Sequence, residues 1–459
     1  MRVLLIGSGG REHALAWKLK QSKLIAKLYT WPGSPSIDFL SERLSVPQSI
    51  SKSDYLSVAR VAHEAEIDLV VCGPETALAQ GLANIMIDYG IPTFGPIKEA
   101  AELESSKAFA KEIMREGGIP TADFELATSE DSCREKAFKA LQEKGAVVLK
   151  ASGLAAGKGV FVCRSKDDIE NGLSRLYSPA MKEASETVVI DDLLVGRECS
   201  YFALLGTNPK SASGRITPLG FAVDYKRLKD QDEGPNTGGM GGYCPVPWLP
   251  DNAADLVHEK ILEPLLKVLD KRNLPYCGFI YVGIMWCSGG PRVFEFNVRL
   301  GDPETQSLVL RDHLDWLAII ADKLGLRPYP HLAPKIQAIS GSQRSPNSSS
   351  GVEDAISARK VVSVVMASRG YPYGEGDENI TPQTLPAALF EAGSSDIKVF
   401  GASLVKEGGR ILTGKGRVLT VTGAGETFAD ARSRAYEKVK DISRSWTDAQ
   451  WRSDIAQNL

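Results

Sequence analysis

Residues 293–305 read VFEFNVRLGDPET. Phe294, Phe296 and Val298 alternate with Glu295, Asn297 and Arg299, the two-residue period of a half-buried strand. The spacing predicts an apolar face on a core. It places a carboxylate, an amide oxygen and a guanidinium in one row on the other face. Carboxylate plus amide oxygen suits Mg²⁺, which completes its shell with water and substrate phosphates. A guanidinium can grip a phosphate or a carboxylate through two parallel hydrogen bonds. GDPET then turns the chain and adds Asp302 and Glu304. The plain alternative is an edge strand with a solvated face and a salt bridge from Glu295 to Arg299.

Three further stretches bear on that choice. VVLKASGLAAGKGVFV carries Lys150 on a strand, then Gly153, Gly157, Lys158 and Gly159 in a loop before the next strand. Glycines let backbone N–H groups approach phosphate oxygens, and lysine adds a point charge. The spacing is not that of a P-loop, and a flexible hairpin remains the alternative. GPNTGGMGGYCPVP, from residue 234, is crowded with glycine and reads as a substrate loop, a lid or a long mobile connector. Asp224, Lys226 and Arg227 stand just before it. GSGGREHALAWKL, residues 7–19, runs from a buried strand through a glycine turn into a helix, a geometry that binds anions. Glu12 stands where a dinucleotide fingerprint needs glycine, so a sugar phosphate fits better than NAD. Gly73, Pro74 and Glu75 follow the strand IDLVVC at the equivalent sheet edge.

The whole chain has 459 residues, which predicts two to four domains. Its 54 basic and 57 acidic residues leave a net charge of −3, which argues against broad nucleic-acid binding. No apolar run is long enough for a membrane span, and the opening MRVLLIG lacks a charged leader. The expectation is a cytoplasmic protein. Seven scattered cysteines without a CxxC pair fit reduced thiols, and the five histidines lack metal-ligand spacing. Strand–helix alternation over the first hundred residues predicts a parallel sheet covered on both faces. GPIKEAAELESSKAFAKEIMREGGIP reads as a linker followed by a helix. The Ser-rich stretch near 337–357 reads as a linker or loop. FADARSRAYEKVKDI reads as a closing amphipathic helix.

In this order, GSGGREHALAWKL, GPE, SSKAFAK, LKASGLAAGKGV, GPNTGGMG and EFNVRLGDPETQ resemble the motifs of phosphoribosylamine–glycine ligases, also called glycinamide ribonucleotide synthetases. These are ATP-grasp ligases of de novo purine synthesis. The resemblance covers nearly the whole chain, and its last two motifs are highly specific. It implies an α/β and α+β multidomain fold. A Rossmann-like N-terminal domain spans 1–101 and an ATP-grasp domain 102–335, with a small subdomain at about 120–190. A linker spans 336–357 and a small β-rich C-terminal domain 358–459.

The resemblance also implies roles. Lys107 and Lys150 contact ATP phosphates under a flap from Gly153 through Gly157 and Lys158 to Gly159. Asp191 and Leu193 belong to the adenine hinge, and Glu198 binds the ribose hydroxyls. Glu295 and Asn297 hold Mg²⁺ or Mn²⁺. Arg299, Asp224 and Lys226 lie near glycine and the phosphoribosylamine. Gly9, Gly10, Arg11, Gly73, Pro74, Glu75, Asn236, Thr237, Gly238 and Gly239 bind substrate. The partners are glycine, phosphoribosylamine and ATP, with no nucleic acid or membrane, and the protein is a monomer.

Some segments depart from the pattern. Asp191 and Asp192 replace a Glu pair, VDYKR replaces QDHKR, PGSPSI (32–37) replaces PGNAGT, FGAS (400–403) replaces FHAG, and Ser152 replaces an Asp. These leave open another ATP-grasp carboxylate–amine ligase with a different amine. A nucleotide-binding module without turnover is the third reading, against which Lys107, Lys150, Glu295, Asn297 and Arg299 together argue.

Overall fold

The computed structural model describes residues 1–459 except 48, 156–157, 209–210, 212–213, 312, 327–358, 375–379 and 392–395. The Ser-rich linker expected at 336–357 and Gly157 lie outside the described residues. Among the described residues, no helix is long and apolar enough to cross a membrane.

The first hundred residues form a five-stranded parallel sheet. Its order is Glu42–Arg43, Lys27–Pro32, Arg2–Gly7, Leu69–Cys72, Thr93–Phe94. Arg2–Gly7 and Leu69–Cys72 are almost wholly apolar because helices cover both faces. Leu4, Ile6 and Val70 enter one core; Val3, Leu5 and Val71 enter another. Strand alternation thus sends successive residues to opposite cores.

The segment read as a linker plus one helix is two helices, Lys98–Ser105 and Lys107–Gly117. Ser106 separates them with extended backbone, and its hydroxyl accepts a hydrogen bond from Phe109 N at 3.2 Å. A serine N-cap of this kind restarts a helix in a new direction. Residue 101 lies inside the first helix.

A four-stranded antiparallel sheet follows, ordered Phe124–Ala127, Val188–Asp192, Val147–Ala151, Val160–Cys163. Helices Glu130–Lys144 and Lys166–Leu176 cover it around a separate core.

The largest sheet has eight strands. It runs Gly290–Asn297, Gly278–Cys287, Arg197–Leu205, Ile216–Asp224, Gly241–Cys244, Lys360–Ala367, Arg417–Gly425, Ile397–Gly401, with antiparallel neighbours. The strands after residue 359 therefore extend the central sheet. The joint is Gly241–Cys244, which pairs with Asp224 on one side and Val361–Val364 on the other. Of the segment 234–242 read as loop or lid, 234–236 and 241–242 are strand and 237–240 connect them. Met240 is fully buried, and a Cβ at Gly241 would sit 2.7 Å from Ser363 O. Glycine lets the strands close here. Upstream, Arg227–Lys229 pairs with Glu233–Asn236 as a ribbon. The helix Phe428–Ser443 closes the chain with a Thr427–Asp430 capping box, burying Phe428, Ala431, Ala435, Tyr436, Val439 and Ile442.

Candidate active site

The strand Gly290–Asn297 does not keep a strict two-residue period. Its register against Gly278–Cys287 shifts by one, with Glu295 opposite Gly283 and Val293 opposite Ile284. Phe294 is the extra residue of a β-bulge. Val293, Phe296 and Val298 form the apolar side within the core. Phe294 leaves it, contrary to the alternation expected from sequence. Its ring lies 5.0 Å from Lys226 Nζ, and its carbonyl accepts from Lys150 Nζ at 3.4 Å. The bulge thus turns Phe294 toward the cationic groups.

The polar row is continuous. Asn297 Nδ2 donates to Glu295 Oε1 at 3.3 Å, and Arg299 Nη2 donates to Asn297 Oδ1 at 3.3 Å. In place of the direct Glu295–Arg299 salt bridge of the plain alternative, the two are joined by this relay through the amide. Arg299 reaches Glu104 Oε1 at 2.9 Å and Glu75 Oε2 at 3.3 Å. Glu104 Oε2 accepts from Val298 N at 2.8 Å. Burial pushes Glu104 up to about 7 despite the opposing charge of Arg299.

Glu75 also lies 3.6 Å from Arg11 Nη1. Arg11 donates to Leu300 O at 3.1 Å and pairs with Glu12 at 2.6 Å. Glu12 Oε2 accepts from Gly9 N at 2.7 Å, closing the helix N-terminus. A Cβ at Gly73 would meet Glu12 Oε1 at 2.3 Å, so Gly73 leaves room for that side chain. Gly10 lies beside Gln306, Ala402 and Asp302. Pro74 N-caps the short helix Glu75–Ala79. The glycine turn, Gly73–Glu75 and the end of the central strand thus meet at one place.

On the other side, Lys107 begins its helix and donates to Gly153 O at 3.4 Å. Burial lowers its pKa, and the charge of Glu295 partly restores it. Lys150 lies 2.7 Å from Asp191 Oδ2. Gly153 N donates to Ala184 O at 2.8 Å, and Lys158 N to Ala155 O at 2.9 Å. A Cβ at Gly159 would meet Ala155 Cβ at 2.8 Å and Ala151 Cβ at 2.9 Å. Leu193 leaves the hinge strand half-buried.

Lys226 Nζ pairs with Glu198 Oε2 at 2.8 Å. Asp224, Glu198 and Glu295 hold Lys226 well above the usual lysine range although burial opposes them. Burial raises Asp224, with Lys226 pulling the other way. Burial and Asp224 push Glu304 up to about 8. Thr237 N and Oγ1 donate to Lys226 O at 2.7 and 2.8 Å, while Arg417 Nη1 donates to Gly238 O at 2.6 Å. Gly239 N donates to Thr237 Oγ1 at 3.0 Å. Asn236, on the ribbon opposite Arg227, is exposed.

Among the described residues, no group of three or more His, Cys, Asp or Glu residues forms a metal cluster. Glu295 and Asn297 form a two-oxygen donor set once the Asn297 amide is turned, which gives up its present bonds to Glu295 and Arg299. That set fits a hard divalent ion whose remaining positions go to phosphates and water.

The family models agree over most of the chain. Residues 1–104 match the phosphoribosylglycinamide synthetase N domain, 105–305 its ATP-grasp (A) domain, and 361–458 its C domain. The chain belongs to the phosphoribosylglycinamide synthetase family. The phosphoribosylamine–glycine ligase of Rhizobium meliloti is 37% identical over 456 residues, 99% of this chain and 98% of that one. The crystal structure of that ligase from Thermotoga maritima has a TM-score of 0.75 at 30% identity, covering 99% of this chain and 100% of that chain. A biotin carboxylase from Campylobacter jejuni shares the fold alone, with a TM-score of 0.66 at 14% identity over 98% of this chain and 91% of that one.

Within this family's frame, sequence reading overlooked three groups. Glu104 has no spacing signal, because it meets Arg299 only through the tertiary fold. Lys111 stands four residues after Lys107 on one helix face, and that spacing could have found it. Arg417 comes from the distant strand Arg417–Gly425.

Proposed function

We propose that the protein joins glycine to 5-phospho-β-D-ribosylamine with ATP, giving glycinamide ribonucleotide, ADP and phosphate. The observation that carries this reading is Glu75, which lies 3.6 Å from Arg11 at the glycine turn and 3.3 Å from Arg299 beside Glu295 and Asn297. An anion site suited to a sugar phosphate therefore adjoins a row suited to phosphoryl transfer.

The chemistry has two steps. A glycine carboxylate oxygen attacks the γ-phosphorus, and the bond to ADP breaks. The amine nitrogen of phosphoribosylamine then attacks the acyl carbon of glycyl phosphate; it loses a proton, and phosphate leaves. Such transfer depends on position and charge neutralisation more than on a protein nucleophile. Lys107 and Lys150 hold the phosphates under the loop from Gly153 to Gly159. Glu198 receives the ribose hydroxyls, and backbone groups at Asp192 and Leu193 receive adenine. Glu295 and Asn297 hold Mg²⁺ or Mn²⁺, which supplies charge neutralisation at the phosphate oxygens. Arg299 grips the carboxylate or the transferring phosphoryl group, with Asp224 and Lys226 beside it. Arg11 and Gly10 at the helix N-terminus take the sugar phosphate beside Gly9, whose N–H is held by Glu12, with Gly73–Glu75 and Asn236–Gly239 closing around it.

In this reading 1–101 serves the sugar phosphate and 102–335 serves ATP and glycine, with 358–459 bracing the glycine-rich segment. The protein works as a cytoplasmic monomer on small molecules. The test is ADP release with ATP, Mg²⁺ and glycine, with and without phosphoribosylamine generated in place. Turnover that needs both substrates supports the reading. Turnover with another acid in place of glycine, or nucleotide binding without ADP release, overturns it.

A further inference from the structure

We propose that Lys111 is a positioning residue for Lys150, acting through Asp191. The inference rests on the ATP-binding role given above to Lys150. Asp191 is 2% exposed, and its two oxygens face different lysines. Lys111 Nζ lies 2.7 Å from Oδ1, and Lys150 Nζ lies 2.7 Å from Oδ2. Lys111 also donates to Thr121 Oγ1 at 2.9 Å and Ala122 O at 3.3 Å. Lys111 is itself 2% exposed and closed in by these partners, so its action is on the protein itself.

Lys150 is set differently. Besides Asp191, its Nζ reaches Phe294 O at 3.4 Å on the bulged strand that carries Glu295. Lys111 thus fixes Asp191, Asp191 fixes Lys150, and Lys150 rests against the metal-bearing strand. Charge matters as well as position. Asp191 with Lys150 alone would be a neutral pair, and Lys150 would present little net charge to a phosphate. With Lys111 added, two ammonium groups share one carboxylate and the trio keeps one positive charge. That charge can be presented only at Lys150, because Lys111 is closed in on every side.

A consequence concerns the base. A hinge carboxylate could accept from the exocyclic amine of adenine, but Asp191 is 2% exposed and lies between two lysines, closed off from the base. Base recognition then falls to backbone groups at Asp192 and Leu193.

The experiment is calorimetric titration of the intact protein with the Mg²⁺ complex of a non-hydrolysable ATP analogue, alongside steady-state rates. It uses wild type, Lys111→Met, Asp191→Asn and the double variant. Lys111→Met leaves the whole carboxylate to Lys150. It should weaken analogue binding on the order of tenfold and lower kcat, with the glycine KM unchanged. The double variant should recover most of the affinity, because the charge that captures Lys150 is gone. Lys111→Arg, which keeps the charge, should bind close to wild type and covers the case in which Lys111→Met does not fold. Additive losses in the double variant, unaltered binding by Lys111→Met, or equal losses for Arg and Met overturn the proposal. If wild type fails to bind the analogue, the ATP reading fails instead.

Discussion

Replacing Glu104 with glutamine should make the protein more stable in mild alkali and less active. The side chain is buried between Arg299 and Val298 N, at 2.9 and 2.8 Å. Burial lifts its carboxyl from 4.5 to about 7, while Arg299 pulls the other way without prevailing. The folded protein therefore holds this proton where the unfolded chain has released it. Stability from this group is complete below pH 4.5 and is lost as pH rises through 7. For these two values the loss between pH 5 and pH 8 is about 2–3 kcal/mol. Glutamine keeps an acceptor for Val298 N and cannot ionise. Denaturant unfolding at pH 5 and pH 8 should show Glu104→Gln gaining on wild type by about that amount. Activity should move the other way. Arg299 loses its nearest charged partner and keeps Glu75 at 3.3 Å, so kcat should fall on the order of tenfold. If the two stability curves run parallel from pH 5 to pH 8, the ion pair has repaid the burial of the carboxylate, and the reasoning is wrong.

Glu295→Gln should lower kcat by more than about a hundredfold while shifting unfolding by less than about 1 kcal/mol; near-normal turnover in a Mn²⁺ or Mg²⁺ titration would remove Glu295 as a ligand. His13 is fully buried, accepts from Gly401 N at 2.9 Å, and is pushed down to about 3 by burial and by Lys398. Its contribution is present above pH 6.5 and is lost as pH falls toward 3. Unfolding at pH 7.5 and pH 4.5 should therefore show His13→Gln gaining about 2–3 kcal/mol on wild type at the lower pH. Gly73→Ala would bring a Cβ within 2.3 Å of Glu12 Oε1. It should cost about 1–3 kcal/mol and raise the phosphoribosylamine KM through Arg11, with the ATP KM unchanged.

The parallel N-terminal sheet and the closing helix were legible because each follows from local pattern. Val3 to Ile6 is apolar on both faces, and Phe428 to Ile442 repeats at helical spacing. The joining of the C-terminal strands to the central sheet was not legible. It depends on Gly241 and Gly242 pairing with residues more than a hundred positions later. Glycine in such a stretch reads locally as loop, yet here it serves close strand approach. The site divides the same way. Glu295 and Asn297 share one short strand and Arg299 follows two residues on, so sequence shows their juxtaposition. Phe294 broke the alternation because a bulge depends on the partner strand's register. Glu104 could not be seen, since 194 positions separate it from Val298, whose amide it accepts.

These partners show how the site is built electrostatically. Lys150, Lys226, Arg299 and Arg11 each already face a carboxylate of the protein. An anionic substrate must therefore exchange with an internal partner, and exchange is easy only where that partner can return to water. Glu198 and Glu75 have side chains 51% and 31% exposed, whereas those of Asp191 and Glu104 are 2% and 6% exposed. Releasing a carboxylate already near solvent costs little, and salt weakens such a pair further. Releasing a buried one would strand a charge at a cost of several kcal/mol. Asp191 and Glu104 are therefore fixed parts of the frame that aim Lys150 and Arg299. On the proposed reading Glu198 and Glu75 are the partners that can yield, so Lys226 responds when substrate arrives, while Arg11 keeps Glu12, 4% exposed and 2.6 Å away.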